Sequence, residues 1–592
     1  MKHSAVPIGP DMPEPVIADN MRIYWDVPIK MDDGNVLRAD LFLPVEEGRY
    51  PVILSSGPYA KGLSFQEGYS SAWNIMAEKY PDSVAGSSNK YQVWEVVDPE
   101  KWVPDGYACL RIDCRGQGRS PGYYEAFSPR EIRDVHDCIE WAGAQSWSNG
   151  KVGMNGISYY AITQWYVARL QPPSLAAICA WEGCNDMYRE MYFTAGILNE
   201  MTPNVFDMQI TPLQHGRGEN GPRSAVTGEL VCGDETLTEE QLRANRFSAE
   251  RLAEAYTMDS AFFRERSANF DRTTVPLLSA GNWGGQPFHT RGNVEAFTRS
   301  ASTHKWLEMH GGEHWTEFYT DYGVGLQKRF FDHFLKDEDN GWDKKPPVQL
   351  QIRHPGEKFV CREETAWPIP RTKWTKVFLD PDQMSLAWEP GSAAATTLTY
   401  DAMGEGLTFR MAPLAEEMEI TGPSAMKMRI SSSTEDADIF VVLRLYDPDG
   451  REVLFNGALD PKTPVAQGWL RASHRKLDPE LSEPYRPYHA HDERQPLSPG
   501  EPVDLDIEIW PTSIVAPAGY QLAVTLLGRD FEHDEEPAYL NNIKYPMKGC
   551  GPFTHTEIKN RPPEVFGGRT TIHFDEDARP YVLLPVIPSS AE

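Results

Sequence analysis

Short apolar runs that alternate with helix-like stretches are the feature that most restricts the fold of this sequence. The apolar runs end in turn residues, whereas one intervening stretch places Ile132, Val135, Ile139 and Trp141 near a single helical face. Strands that alternate with helices indicate a doubly wound, largely parallel α/β sheet. The predicted strands lie at 51–59, 107–116, 151–156 and 175–183, and the predicted helices at 131–145 and 159–170.

The rest of the chain changes its texture twice. Residues 187–272 are charged and helical, and the strand rhythm returns at 275–283 and 305–315, which predicts a helical insertion in the sheet domain. Beyond residue 353, short alternating segments such as 438–450 and 520–528 are separated by turn residues. This pattern predicts an all-β domain, either a sandwich or a jelly roll.

Charge and cysteine usage exclude several classes of function. The formal net charge of −29 over 592 residues repels polyanions, so neither nucleic acid nor an anionic membrane is expected as a partner. The sequence has no long apolar run and no apolar signal-peptide core at its start. The eight cysteines form no C-x-x-C pair and no zinc-type spacing. We therefore expect reduced thiols, a cytoplasmic location, no metal and no cofactor.

Ser158, in "GMNGISYYAITQW", is a candidate nucleophile. Gly156 precedes it as in the nucleophile elbow G-x-S-x-G, but Tyr160 stands where the second glycine is usual. The serine follows a predicted apolar strand and precedes a predicted helix, which is the context that the elbow requires. The backbone N–H of Tyr159, at the start of that helix, could donate to a developing oxyanion. The alternative is an ordinary turn serine.

Several blocks of the sequence resemble the cocaine esterase and X-Pro dipeptidyl-peptidase family of α/β-hydrolases. They lie in the family's order: "GPYAK" (57–61), "DGYACLRIDCRGQGRSPG" (105–122), the block around Ser158, "RFFDHFLKDEDNGW" (329–342) and "GLTFRMAPLAEEMEITGP" (406–423). The resemblance implies an α/β-hydrolase fold with an inserted helical cap and a C-terminal all-β jelly-roll domain. The implied divisions are 1–186 and 273–345 for the core, 187–272 for the cap and 346–592 for the jelly roll.

The resemblance also implies roles for three side chains. Ser158 would attack a carbonyl carbon, and His314 would accept its proton and later return it to the leaving group. His310 is a nearby competitor, but His314 lies beyond the end of its strand, where the last catalytic loop of the fold belongs. Tyr59 matches the family tyrosine whose hydroxyl joins the Tyr159 N–H in the oxyanion hole.

The acid of the triad is where the sequence departs from the family. Gly284, in "GNWGGQPFH", stands where the family has its aspartate. A triad without its acid loses about 10⁴ in turnover, so either the acid has moved or the site is inactive. Glu182 and Asp186 follow the strand after the nucleophile helix, and Glu182 is the first choice. Glu313, next to His314, is a further option.

We expect a serine hydrolase that cleaves a carboxylic ester, or else an amide, through an acyl-serine intermediate. The alternatives are an aminopeptidase of the X-Pro dipeptidyl type and a catalytically impaired protein that binds a ligand. Ala161, three residues past the nucleophile, replaces a carboxylate with which amino-ester hydrolases of the family bind a substrate amine. The expected partner is a small-molecule ester or amide with a moderately bulky, uncharged or cationic acyl part, and a homo-oligomer is left open.

Overall fold

The computed structural model describes residues 12–391 and 395–588 and arranges them in two large sheets. Each of these sheets has eleven strands within the described ranges. The first sheet ends at Glu364, and the second begins at Lys373. Among the described helices, none combines the length and the apolar character that a membrane crossing requires.

The first sheet is built around parallel strands. The strands of this half are β1 (Val16–Ala18), β2 (Met21–Lys30), β3 (Val36–Pro44), β4 (Tyr50–Gly57), β5 (Ala108–Asp113), β6 (Ser148–Ile157), β7 (Leu175–Trp181), β8 (Phe193–Thr194), β9 (Ile197–Leu198), β10 (Leu277–Asn282), β11 (Lys305–His310), β12 (Val348–His354) and β13 (Lys358–Glu364). The order is β1-β2-β3-β5-β4-β6-β7-β10-β11-β12-β13, while β8 and β9 form a separate hairpin. All neighbours from β5 to β12 in this order are parallel, which confirms the predicted parallel sheet. Strands β12 and β13 carry the sheet beyond residue 345.

Helices connect the parallel strands of the first sheet, and further short helices lie in the segment 187–272 and near the C-terminal end of the second half. They are α1 (Phe65–Gly68), α2 (Ser70–Lys79), α3 (Pro81–Val84), α4 (Pro99–Trp102), α5 (Pro129–Gly143), α6 (Tyr159–Ala168), α7 (Met201–Val205), α8 (Glu239–Ala244), α9 (Ala249–Ala255), α10 (Ala261–Arg264), α11 (Thr290–Arg299), α12 (Asp321–Leu335) and α13 (Pro563–Phe566). The segment 187–272 holds α7 to α10, the β8–β9 hairpin and two π-helical turns, Met187–Tyr192 and Phe206–Ile210.

Helix α5 shows why the sequence periodicity is informative. The Ser128 hydroxyl caps the helix by accepting a hydrogen bond from the Glu131 N–H, and Pro129 occupies the first turn, where no N–H is needed. Its apolar face lies in the core against β4 and β6. The predicted residues Ile132, Val135 and Ile139 are buried on that face, whereas Trp141 is half-buried at its edge.

The second sheet curls into a closed barrel. Its strands, with a separate hairpin of β23 and β24, are β14 (Lys373–Asp380), β15 (Ser385–Ala387), β16 (Thr396–Asp401), β17 (Leu407–Met411), β18 (Met418–Ser432), β19 (Asp438–Tyr446), β20 (Ala466–Arg471), β21 (Val503–Ala516), β22 (Gln521–Leu527), β23 (Ala538–Leu540), β24 (Ile543–Met547), β25 (Arg569–Phe574) and β26 (Tyr581–Ile587). The order is β16-β25-β18-β21-β20-β19-β22-β17-β15-β14-β26, and an additional pairing of β18 with β26 closes the ring. Closure leaves few free strand edges and encloses a second apolar core.

Candidate active site

Ser158 lies at the sharp turn between β6 and α6. Its backbone has φ 54° and ψ −113°, values that a non-glycine residue adopts only where the surrounding structure enforces them. The Ser158 N–H donates to the Trp181 carbonyl at 3.0 Å, and the Ile157 N–H donates to the Glu95 carbonyl at 3.0 Å. The turn is therefore held from β7 on one side and from the loop before α4 on the other.

Tyr160 occupies the position where the elbow pattern has its second glycine. Its ring lies over the end of β4, where a β-carbon at Gly57 would be only 2.6 Å from the ring atom Cε1. A β-carbon at Gly156 would be 2.5 Å from the Tyr160 Cβ. The space that a tight elbow needs is therefore provided by Gly57 and Gly156.

His289 is the histidine in contact with Ser158. Its Nε2 is 3.2 Å from the Ser158 Oγ, and both side chains are buried. His289 lies just before α11, on the loop that follows β10, and its Nδ1 is buried with no hydrogen-bond partner among the described residues. Burial and the neighbouring His314 hold the pKa of His289 well below its usual value. Sequence reasoning missed this residue because it searched the same loop only for an acid.

His314 lies on the loop after β11, with a carboxylate at each ring nitrogen. Its Nδ1 is 2.8 Å from Glu182 Oε2, and its Nε2 is 2.9 Å from Glu95 Oε1. Burial alone would lower the pKa of His314, but the two carboxylates outweigh burial and raise it to about 9. The ring is thus held as an imidazolium that donates both protons.

Glu182 joins His314 to a second histidine. It is the first residue after β7, and its Oε1 accepts a hydrogen bond from His310 Nε2 at 3.0 Å. The other nitrogen of His310 is 2.7 Å from Glu308 Oε2. Burial opposes ionisation of Glu182, yet the two histidines lower its pKa to about 2. Carboxylates and imidazoles therefore alternate from Glu308 to Glu95.

The structure places the other two candidate acids elsewhere. Asp186 accepts hydrogen bonds from the backbone N–H groups of Tyr188 and Arg189 and pairs with the Arg189 guanidinium at 2.9 Å. Glu313 pairs with Lys79 Nζ at 2.6 Å. No hydrogen bond described for either carboxylate reaches a histidine. Of the three candidates, the structure brings Glu182 to His314.

The two groups expected for the oxyanion hole both belong to residues that line the cavity of Ser158. Tyr159 is the first residue of α6, where a backbone N–H has no partner within the helix. Its hydroxyl donates to Glu131 at 2.8 Å, so the group that Tyr159 can offer to an oxyanion is its backbone N–H. Tyr59 lines the same cavity, and burial raises the pKa of its hydroxyl well above 10. The Tyr59 hydroxyl therefore stays protonated and can donate.

Gly284 packs against the barrel so closely that it leaves no room for a side chain. A β-carbon at residue 284 would collide with the Gly457 Cα and would lie 3.1 Å from the Ala458 nitrogen. The Ala458 N–H donates to the Gly284 carbonyl at 3.0 Å, and the His314 N–H donates to the Ala458 carbonyl at 2.8 Å. Backbone of the second domain therefore fills the space that an aspartate at 284 would need.

Ser158, His289 and His314 line one cavity. Its walls come from the core, from the segment 187–272 and from the C-terminal domain. Most of the lining is apolar or aromatic, and it includes Phe127, Ile162, Met191, Met201, Val205, Phe206, Ile210, Phe288, Leu459 and Phe553. A small, largely uncharged acyl group suits such a cavity.

A metal ion needs several ligand atoms close together. Within the described ranges, one group of at least three His, Cys, Asp or Glu residues has candidate ligand atoms within 4.8 Å of one another, and it consists of Glu182, His289 and His314. The two imidazole rings are stacked, with planes 7° apart. Tetrahedral metal coordination requires ligand lone pairs that converge on one point. The nitrogen lone pairs of two stacked rings lie in parallel planes and do not converge. The arrangement suits proton transfer better than metal binding.

Comparisons with known proteins relate both halves of the chain to one group. A family model of X-Pro dipeptidyl-peptidase (S15 family) matches residues 33–316. A model of the X-Pro dipeptidyl-peptidase C-terminal non-catalytic domain matches residues 340–545. The candidate nucleophile and its hydrogen-bond partners all lie within the first match.

Individual relatives cover most of the chain. Cocaine esterase of Rhodococcus sp. (strain MB1 Bresler) is 23% identical, over 87% of this chain and 92% of its own length. The Xaa-Pro dipeptidyl-peptidase of Streptococcus gordonii is 20% identical, over 86% of this chain and 74% of its own. The crystal structure of a CocE/NonD family hydrolase from Staphylococcus aureus is 28% identical with a TM-score of 0.81, covering 96% of this chain and 94% of its own.

Proposed function

The chain belongs to the X-Pro dipeptidyl-peptidase (S15) family, and from this premise we propose that it hydrolyses small, uncharged carboxylic esters through an acyl-serine intermediate. That it is a serine hydrolase follows from the family and from relatives named as esterases and peptidases. The observation that carries the ester proposal is Ser158, which sits at a strained strand-to-helix turn in an apolar cavity and contacts an imidazole.

The proposed reaction begins with attack of Ser158 Oγ on the ester carbonyl carbon. A histidine takes the hydroxyl proton, and the oxyanion accepts hydrogen bonds from the Tyr159 N–H and the Tyr59 hydroxyl. The same histidine returns the proton to the departing alcohol, which leaves the acyl group on Ser158. Water, deprotonated by that histidine, then releases the acid.

We assign the base to His314, with Glu182 as the acid that orients it. A general base needs a partner on its far nitrogen that fixes the tautomer and stabilises the imidazolium. Glu182 provides this at 2.8 Å from His314 Nδ1, whereas the Nδ1 of His289 has no described partner. His289 is then the group that holds the Ser158 hydroxyl before reaction.

The apolar cavity supports a neutral acyl group. The position three residues past the nucleophile is Ala161, which is buried and offers no carboxylate to a substrate ammonium. Glu95 also lines the cavity, but its Oε1 is engaged by His314. An uncharged ester is therefore favoured over a substrate with a free amino terminus.

A labelling experiment tests the nucleophile directly. A fluorophosphonate probe should label the wild type and should fail to label Ser158→Ala, and p-nitrophenyl butyrate hydrolysis should be lost with the label. Ser279→Ala is the matched control. Ser279 lies in β10 and is also buried, but its hydroxyl donates to the Asn293 carbonyl at 2.8 Å. Unchanged labelling of Ser158→Ala would rule the proposal out.

We also propose the finer fold assignment, an α/β-hydrolase core with a helical cap at 187–272 and a jelly-roll C-terminal domain. The parallel strands with connecting helices and the closed β-sheet support it. The other domain limits, the cytoplasmic location, the small-molecule partner and the possibility of a homo-oligomer stay predictions from the sequence.

A further inference from the structure

Glu95 is a buried carboxylate that neither the sequence analysis nor the proposed reaction uses. It lies in the loop between α3 and α4, with φ 65° and 2% of its surface exposed. Its backbone carbonyl accepts the Ile157 N–H at 3.0 Å, one residue before the nucleophile. The backbone of Glu95 is thus hydrogen-bonded to the turn that carries Ser158, and this restrains the position from which the Glu95 side chain extends.

The side chain of Glu95 contacts His314 Nε2, the ring nitrogen that must accept the serine proton in the reaction. Its Oε1 is 2.9 Å from His314 Nε2, and its Oε2 is buried without a hydrogen-bond partner among the described residues. In a triad, Nε2 must present a lone pair to the serine. A ring that donates from Nδ1 to Glu182 and from Nε2 to Glu95 has no lone pair to offer.

We propose that Glu95 is a positioning residue that holds His314 in a resting, protonated state, and that His314 becomes the base for Ser158 only after it releases Glu95. This inference rests on the proposed ester hydrolysis. The Nε2 proton passes to bulk water, and the neutral ring turns from Glu95 towards Ser158, which lines the same cavity. His289 keeps the Ser158 hydroxyl in place meanwhile, at 3.2 Å.

The charges around His314 agree with a resting imidazolium. Glu182 and Glu95 face its two nitrogens, and His289 stacks on its ring. Other ionisable groups nearby are His310 and Glu308 behind Glu182, and Tyr59, Tyr69, Tyr160 and Tyr319 around Glu95. Both carboxylates raise the pKa of His314 to about 9. Because the base must be neutral, kcat/KM of the wild type should rise with pH up to this range.

The test is the pH dependence of kcat/KM on p-nitrophenyl butyrate for the wild type and Glu95→Gln. Loss of one negative charge at Nε2 should shift the rising limb of the pH profile to lower pH by about one unit or more. At neutral pH, kcat/KM of Glu95→Gln, taken as a fraction of its own plateau, should then be about tenfold higher than the same fraction for the wild type. A uniform loss of activity with an unmoved limb would mean a structural role and would overturn the proposal.

Asp98→Asn is the control for disturbance of the same loop. Asp98 is also buried, but it accepts the Glu100 N–H and caps α4. This variant should leave the rising limb where the wild type has it. If its limb moves as far as that of Glu95→Gln, the shift does not report on the contact with His314, and the proposal falls.

A second measurement needs no variant. The rate of fluorophosphonate labelling of wild-type Ser158 should follow the same rising limb, at a pH well above the usual range for histidine. A limb near pH 6.5 would show that no carboxylate holds Nε2 protonated, which contradicts the inference. That result would leave ester hydrolysis by Ser158 intact, whereas absence of labelling at every pH would refute the proposed function itself.

Discussion

The imidazole rings of His289 and His314 are stacked, with centroids 5.0 Å apart and planes 7° apart. They have different partners, since His289 contacts the Ser158 hydroxyl and His314 contacts Glu182 and Glu95. Two imidazolium ions at this distance would repel each other, so protonation of one ring lowers the pKa of the other. The pair therefore behaves as one neutral and one charged ring.

Replacing each histidine by glutamine separates their roles. We expect His314→Gln to lower kcat by about 10³ to 10⁴, because the orienting and proton-accepting group is lost. His289→Gln should cost about 10 to 10², because only the placement of the serine hydroxyl suffers. Labelling rates and kcat on p-nitrophenyl butyrate measure both. If His289→Gln proves the more severe change, the base is His289.

Glu182→Gln should lower kcat by about 10³ to 10⁴ while the protein stays folded, since the amide cannot stabilise the imidazolium. Asp186→Asn is the matched change on the same loop, and its effect should fall on stability because Asp186 pairs with Arg189. Thermal unfolding and kcat, measured together, distinguish the two. A collapse of kcat in Asp186→Asn alone would reassign the acid.

Tyr59→Phe should lower kcat by about 10² to 10³ with little change in KM, because the hydroxyl acts on charge that develops in the transition state. Tyr69→Phe removes a hydroxyl from a buried ring that stacks on Trp94 and serves as the control. Equal effects of the two variants on kcat would contradict the role assigned to Tyr59.

The pKa of His314 also predicts how stability depends on pH. Since the folded-state pKa is raised from 6.5 to about 9, the His314 contribution is fully present below pH 6.5 and is lost as pH rises through 9. The difference in unfolding free energy between wild type and His314→Gln should therefore shrink by about 3 kcal/mol across this window. Denaturant unfolding at pH 6 and 9.5 measures it, and a constant difference would contradict the raised pKa.

Gly284→Ala should destabilise the protein by about 1 to 3 kcal/mol, because the added methyl group meets backbone at Gly457 and Ala458. Gly325→Ala, within α12, is the control. A β-carbon there meets nothing within 4 Å, and alanine favours a helix, so this variant should be neutral or slightly more stable. Denaturant unfolding measures both, and equal stability of the two variants would show that the contact at Gly457 yields freely.

How far sequence reasoning reached depended on whether a feature was local. The strand and helix on either side of Ser158 follow from apolar periodicity, and Glu182 could be proposed because the ends of adjacent parallel strands meet at one edge. His289 and Glu95 are brought in by long-range packing of loops. One signal was present for Glu95, as it is the single carboxylate in the otherwise uncharged stretch 91–97. Nothing in the sequence around Gly284 indicates that Gly457 covers it.

The contact between Gly284 and the barrel makes assembly of the active site depend on the order in which the chain is synthesised. Ser158, His289 and Glu182 emerge from the ribosome well before residues 457–458, and an N-terminal domain generally folds first. Until the barrel has been synthesised and folded, the backbone N–H of His314 lacks its hydrogen bond to the Ala458 carbonyl, which is 2.8 Å long in the complete protein. Hydrolysis should therefore appear late, as a property of the finished chain, and a nascent chain would carry its nucleophile in an unassembled state.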